Sequence, residues 1–165
     1  MKTSKIDIKK PTSDLSQTKL AVVSTYWNQE IIEPMLKDCL STLNNSNIEN
    51  KSFTVPGAYE LPFMAQSLCE RFDAIILLGC IIKGETPHFE IISQSISDKV
   101  LETSLNKNTP IIFGVLTTNN EAEAIERAAY KGAEFAISAL NVLDTLEKLS
   151  EKESFANQNE RSGNP

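Results

Sequence analysis

The run from Ala74 to Ile82 (AIILLGCII) carries no polar side chain. An unbroken run of branched apolar residues predicts a strand buried on both faces, and such strands belong to parallel sheets covered by helices on each side. The pattern then changes: Phe89, Ile92, Ile96 and Val100 recur at helical spacing. Between the two patterns lies Lys83-Gly84-Glu85, a short loop beyond the carboxyl end of the strand. Thr86 stands where a helix takes its N-cap, and Pro87 where it takes its first residue. Open α/β sheets bind ligands at such junctions. His88, the one histidine in the chain, falls in the first turn of that helix. An imidazole beside amide groups able to hold an anion reads as an active site.

The same alternation recurs along the chain. Lys19 to Thr25 predicts a short buried strand ending at Tyr26-Trp27-Asn28, with Asn28 capping a helix that has Glu30 in its first turn. Ile32, Met35, Leu36, Cys39, Leu40 and Leu43 form the apolar stripe of that helix, and Pro34 is tolerable in its first turns. Asn44 to Asn50 reads as a loop, Lys51 to Val55 as a second strand stopped by Pro56-Gly57, and Tyr59 to Arg71 as a helix burying Leu61, Met64, Ala65 and Leu68. Strand three covers Asp73 to Ile82, helix three Pro87 to about Asn106, and strand four Pro110 to Thr118. Asn119 or Asn120 caps a helix through Ala129, and a final helix after Tyr130-Lys131-Gly132 reaches about Leu149. Residues 1–18 read as a polar arm and 150–165 as a frayed polar tail. Strands alternating with helices predict a three-layer α/β sandwich, with a mainly four-stranded parallel sheet and right-handed crossovers. Residues 1–165 are expected to form one domain, with an ordered core over about 19–149.

A formal net charge of -6, spread through the chain, argues against nonspecific binding to nucleic acid or anionic membranes. No apolar run approaches a membrane span, and no secretory core sits near the start. Cys39, Cys69 and Cys80 are odd in number and form no C-x-x-C, so a disulfide framework is not expected and a reducing cytoplasm is the default.

In a parallel sheet all strand carboxyl ends share one edge, which gathers Tyr26-Trp27-Asn28, Pro56 to Glu60, Ile82 to His88 and Phe113 to Thr118. Trp27 reads either as a cap over the sheet edge or as a stacking platform for a planar ring. Glu60 reads either as a first-turn acid favoured by the helix dipole or as an acceptor for ligand hydroxyls. Arg127 follows Glu123 by four residues, so it reads either as a surface ion pair or as a fork for phosphate, with Lys131 nearby. One histidine builds no multi-histidine metal site, and Glu85 stands where a P-loop needs lysine. Cys80 with His88 offers a thiol and base in principle, but Cys80 falls inside the predicted strand.

Taken together, Tyr26-Trp27-Asn28, Val55 to Pro62 (VPGAYELP), Leu78 to Glu90 (LGCIIKGETPHFE), Pro110 to Thr118, Ile125 to Ala128 and Lys131-Gly132-Ala133 resemble the 6,7-dimethyl-8-ribityllumazine synthase family, in family order over roughly residues 19–148. The resemblance implies a flavodoxin-like fold. It implies a cofactor-free condensation of 5-amino-6-(D-ribitylamino)uracil with 3,4-dihydroxy-2-butanone 4-phosphate, the penultimate step of riboflavin biosynthesis. By that resemblance Trp27, at a position usually Phe, stacks on the pyrimidine; Ala58, Tyr59 and Glu60 hold the ribityl chain; Cys80, Ile81 and Ile82 contact the pyrimidine through backbone. Glu85 and Thr86 receive the phosphate with Arg127 and, more weakly, Lys131, while His88 shuttles protons. Phe113 closes the pocket from a neighbouring subunit, since family sites lie between subunits of a pentamer. Pentamers, decamers and icosahedral shells all fit the family, as does a riboflavin synthase partner. An archaeal-type riboflavin synthase paralogue and a non-catalytic lumazine- or flavin-binding shell protein are the alternatives. Three departures stand out: the stretch after Arg127 is shorter than usual, the Asn44–Asn50 loop is short and lacks the glycine common there, and Asp38-Cys39 replaces a small Gly-Ala pair.

Overall fold

The computed structural model describes residues 11–162, with side chains through residue 152. Four parallel strands, β1 (Lys19–Thr25), β2 (Glu49–Val55), β3 (Ala74–Ile82) and β4 (Ile111–Thr118), lie in the order β2-β1-β3-β4. Helices α1 (Gln29–Asn44), α2 (Leu61–Leu68), α3 (His88–Lys107) and α4 (Glu121–Ser162) cover both faces, which is the flavodoxin-like three-layer sandwich. The apolar run that fills β3 explains the layering, because its alternate side chains enter different cores. Ile76, Leu78 and Cys80 join Leu20 and Val22 of β1 under α1 and α4. Ile75 and Leu77 join Ala21 and Val23 under α2 and α3. No helix among the described residues is long and apolar enough to cross a membrane.

β2 starts at Glu49 rather than at the expected Lys51, and five further boundaries need correction. First, residues 11–18 are not all arm: Leu15 is only 9% exposed and packs into the α1–α4 core, while residues 1–10 lie outside the described chain. Second, α2 stops at Leu68, because the chain turns there to seat Phe72 edge-on against Phe53, with ring centroids 5.8 Å apart. Third, α3 starts one residue late. Pro87, with ψ of 1°, occupies the cap position, and no side chain caps the helix, so the Thr86 hydroxyl is not spent on capping.

Fourth, Gly132 does not break a helix: α4 is continuous from Glu121 to Ser162. The glycine is there for packing. A Cβ on it would collide with the Met35 carbonyl oxygen and sit 3.0 Å from Asp38 Cβ and Cys39 N. Asp38 uses this close approach, its Oδ2 accepting the Ala133 N–H at 2.7 Å. Fifth, residues 150–162 are helical rather than a frayed tail, and 163–165 lie outside the described chain. Asn120 does cap α4, its Oδ1 accepting the Glu123 N–H at 2.9 Å while Glu123 Oε2 accepts the Asn119 N–H at 3.1 Å.

The end of the arm is tied down by Asp144. Its Oδ1 accepts the N–H groups of Thr12 (3.0 Å) and Ser13 (2.7 Å), and its Oδ2 meets Lys148 at 2.6 Å. Lys148 and the Ser13 contacts hold the carboxyl well below the ordinary aspartate range. A depressed folded-state pKa means stability that is present above the unfolded value near 3.8 and lost as pH falls through the folded one. Asp144→Asn should therefore melt below the parent at neutral pH, and the two melting temperatures should converge on acidification. Parallel curves at every pH would show that the carboxylate charge is not what holds the arm.

Candidate active site

A cavity of about 610 Å³ opens at the carboxyl edge of the sheet, lined by Trp27, Ala58, Tyr59, Cys80, Ile81, Ile82, Gly84, Thr86, His88, Phe89 and Ile92. It lies at the β1–β3 boundary, where the strand order reverses and the crevices of such sheets hold ligands. The backbone explains the opening. Past its strand, β1 leans towards β2, with Tyr26 N–H donating to Val55 O (3.0 Å) and Trp27 N–H to Pro56 O (3.1 Å). Pairing of β1 with β3 stops at Ser24 opposite Leu78, while β3 runs on to Ile82 with only β4 as its partner. Along Gly79–Ile82, the backbone edge facing β1 therefore has no ladder. Asn28 reaches across to it, its Nδ2 donating to the Cys80 carbonyl at 3.4 Å.

Asn28 thus departs from the expected role. It adopts the left-handed conformation (φ 59°) at the start of α1 and makes no side-chain cap, its amide being directed at β3 instead. Trp27, 61% exposed, lies flat against Gly57, where a Cβ would come within 2.5 Å of Cε3 and 2.7 Å of Cζ3. Gly57 is the bed on which the indole rests. The ring both covers the sheet edge and walls the cavity, so the two readings of Trp27 coexist.

Glu60 is half-buried, with Oε2 accepting the Gly57 N–H at 2.9 Å. The first-turn role accounts for that oxygen. Cys80 is 7% exposed, and burial pushes its thiol up to about 11. A thiol that stays protonated inside the α1–α4 core is no nucleophile, so Cys80 contributes to the wall rather than to chemistry.

Gly84, Thr86 and His88 line the cavity and Glu85 does not. The Glu85 carboxylate is exposed. Gly84 is informative because a Cβ there would meet nothing within 4 Å, and its φ lies outside the left-handed region. The fold itself does not require glycine at this point. Lys83 anchors the loop through its N–H to the Thr118 carbonyl (2.9 Å) and pairs with Glu90 at 3.2 Å.

Phe113, Glu60, Glu85, Arg127 and Lys131 are not among the residues lining the cavity. Phe113 stands early in β4, opposite Leu77, and packs partly buried beside the α2–α3 core. Arg127 makes no pair with Glu123; its Nη1 donates to the Thr117 carbonyl at 3.4 Å. Lys131 pairs with Glu134 at 2.5 Å, and its ammonium lies 5.4 Å from the Tyr130 ring centroid. Phe89 and Ile92 were legible only as core positions of α3, because their helical spacing hides that this face also walls a cavity. The signal that could have found them is their place one and two turns beyond the Gly84–Thr86 loop.

The chain matches the family model described as 6,7-dimethyl-8-ribityllumazine synthase over residues 17–147. It is 37% identical over 146 residues to the 6,7-dimethyl-8-ribityllumazine synthase of Mycobacterium ulcerans (strain Agy99), covering 84% of this chain and 91% of that protein. It is 40% identical over 139 residues to the protein of the same description from Cytophaga hutchinsonii, covering 79% and 87%. Against that of Corynebacterium glutamicum (strain R) the figures are 36% over 142 residues, 82% and 89%. With the switch-point crevice, the Gly84–His88 loop and matches of this extent in agreement, the chain belongs to the 6,7-dimethyl-8-ribityllumazine synthase family.

Proposed function

We propose that this protein condenses 5-amino-6-(D-ribitylamino)uracil with 3,4-dihydroxy-2-butanone 4-phosphate to 6,7-dimethyl-8-ribityllumazine, releasing phosphate and water. The observation that carries the reading is the edge of Gly79–Ile82 that β1 leaves without a strand partner beside Trp27, with Asn28 holding the Cys80 carbonyl. A uracil is a planar ring with alternating N–H and C=O groups. An aromatic face with adjacent strand N–H and C=O groups is its chemical complement. Ala58 and Tyr59 border the place for the ribityl chain, with Glu60 Oε1 as an acceptor.

The phosphate belongs on the Gly84–Thr86 loop at the start of α3, where amide donors, the Thr86 hydroxyl and the helix dipole favour an anion. His88 sits between the two places. Forming the imine needs a proton taken from the attacking amine and one given to the departing hydroxyl. Losing phosphate needs a proton removed from the adjoining carbon. A single imidazole at the cavity wall can serve these transfers in turn.

Phe113 and Arg127 reach this chemistry from a neighbouring copy, the former closing the ring pocket and the latter gripping phosphate. Exposed Phe63, Ile91, Leu101 and Leu105 on α2 and α3 supply apolar surface for that association into pentamers. Mixing the purified protein with both substrates should generate the fluorescent lumazine faster than the spontaneous reaction. No acceleration would overturn the reading, and riboflavin formed from lumazine alone would replace it with another activity.

Gly84→Ala separates fold from site. With open space at the Cβ and no positive φ, the change should stabilise the fold by ~0.4–1 kcal/mol through the unfolded chain. The same methyl narrows the approach of a phosphate to the loop and should raise KM for the phosphorylated substrate several-fold, leaving that for the uracil unchanged. Melting and steady-state kinetics check the two halves. A KM that stays put would move the phosphate elsewhere.

A further inference from the structure

Lys83 has no role in the chemistry above, yet it is the cation attached to the loop that walls the cavity. Its side chain spans that loop. The ammonium pairs with Glu90 Oε1 at 3.2 Å and lies 6.0 Å from the centroid of Phe89, itself a wall residue. Gly84 and Thr86, which line the same wall, fall between the two partners of the pair in sequence. The two side chains are 47% and 55% exposed, so water screens the pair and holds it weakly.

Thr86 is three peptide units from Lys83, at most ~10 Å along the chain, within the sweep of a flexible ammonium stem. Within one chain Arg127 donates to the Thr117 carbonyl and Lys131 pairs with Glu134, so a cation carried by the loop itself adds to the charge that Arg127 brings from a neighbouring copy. Glu90 meanwhile puts a negative charge in the first turn of α3, beside a place meant for an anion. A mobile positive charge on that loop removes the conflict.

We propose that Lys83 binds the phosphate of the substrate: it rests on Glu90 in the empty site and moves to the phosphate once that group settles on the Gly84–Thr86 loop. The inference rests on the condensation reading and adds to it the residue pair that sets affinity for the phosphorylated substrate. Glu90 acts by competition, so its removal has the opposite sign to removal of Lys83.

The test uses calorimetric binding of inorganic phosphate to the full chain, a measurement that needs no turnover and remains readable if the condensation assay fails. Lys83→Gln should weaken binding about tenfold, as expected for loss of one charge-assisted contact. Glu90→Gln should tighten it about threefold, and the gain should vanish in the double variant, because no ammonium is left to release. In steady state Lys83→Gln should raise KM for the phosphorylated substrate and not for the uracil. Unchanged affinity in Lys83→Gln overturns the proposal. Equal weakening by both single changes, with matching losses in melting temperature, makes the pair a structural strap and also overturns it. A Glu90→Gln gain that survives in the double variant reduces the effect to through-space repulsion and overturns it as well.

Discussion

Gly132→Ala should lower the stability of the fold by about 2 kcal/mol, although alanine is the better helix former. The position is the middle of α4, where exchanging glycine for alanine in an open helix returns ~1 kcal/mol. Here the added methyl points into α1. It would collide with the Met35 carbonyl oxygen and press on Asp38 Cβ and Cys39 N. Overpacking typically costs ~1–3 kcal/mol, and backbone atoms, which cannot rotate aside, push towards the upper end. Separating the helices also stretches the 2.7 Å bond from Ala133 N–H to Asp38. Denaturant unfolding measures the balance. A stability equal to or above the parent would mean that α1 and α4 part without resistance. The contrast with Gly84→Ala is the point: two glycines in one chain, one demanded by the fold and one that the fold does not require.

His88→Ala should slow condensation by roughly 10²-fold, the lower end of what general acid–base catalysis supplies. The lower end is chosen because the imidazole is exposed and water can replace part of its proton traffic. KM for each substrate should move little, since neither the ring platform nor the anion loop is touched. Single-turnover rates of lumazine formation, corrected for the spontaneous reaction, give the number. A rate equal to the parent would leave positioning of the two substrates as the whole of the catalysis.

Much of the fold could be read from periodicity because the strong signals are local. β1 has the expected bounds, Lys19–Thr25, and β3 and β4 each start within one residue of expectation. The errors came where a local signal served a distant partner. Gly132 looks like punctuation, but it answers the backbone of α1. Asn28 has the chemistry of a cap and the position of one, yet its amide is claimed by the Cys80 carbonyl across the crevice. Thr86 was expected to cap α3, but the turn at Pro87 left it on the cavity wall. The site was legible as a set of strand ends. Sequence could not say that Arg127 stands clear of the cavity in its own chain, whereas Phe113 was expected to serve a neighbouring copy.

The overhang of β3 beyond β1 has an evolutionary consequence. If the uracil is read by the peptide groups of Gly79–Ile82, the reading frame of recognition lies in where β1 stops rather than in which side chains β3 carries. Side chains there are then constrained by the cores they pack into, as Cys80 is, rather than by the ligand. The vulnerable spot is one strand away. A change that lets β1 extend alongside Gly79–Ile82 would erase the binding edge without altering a single residue that touches the ligand.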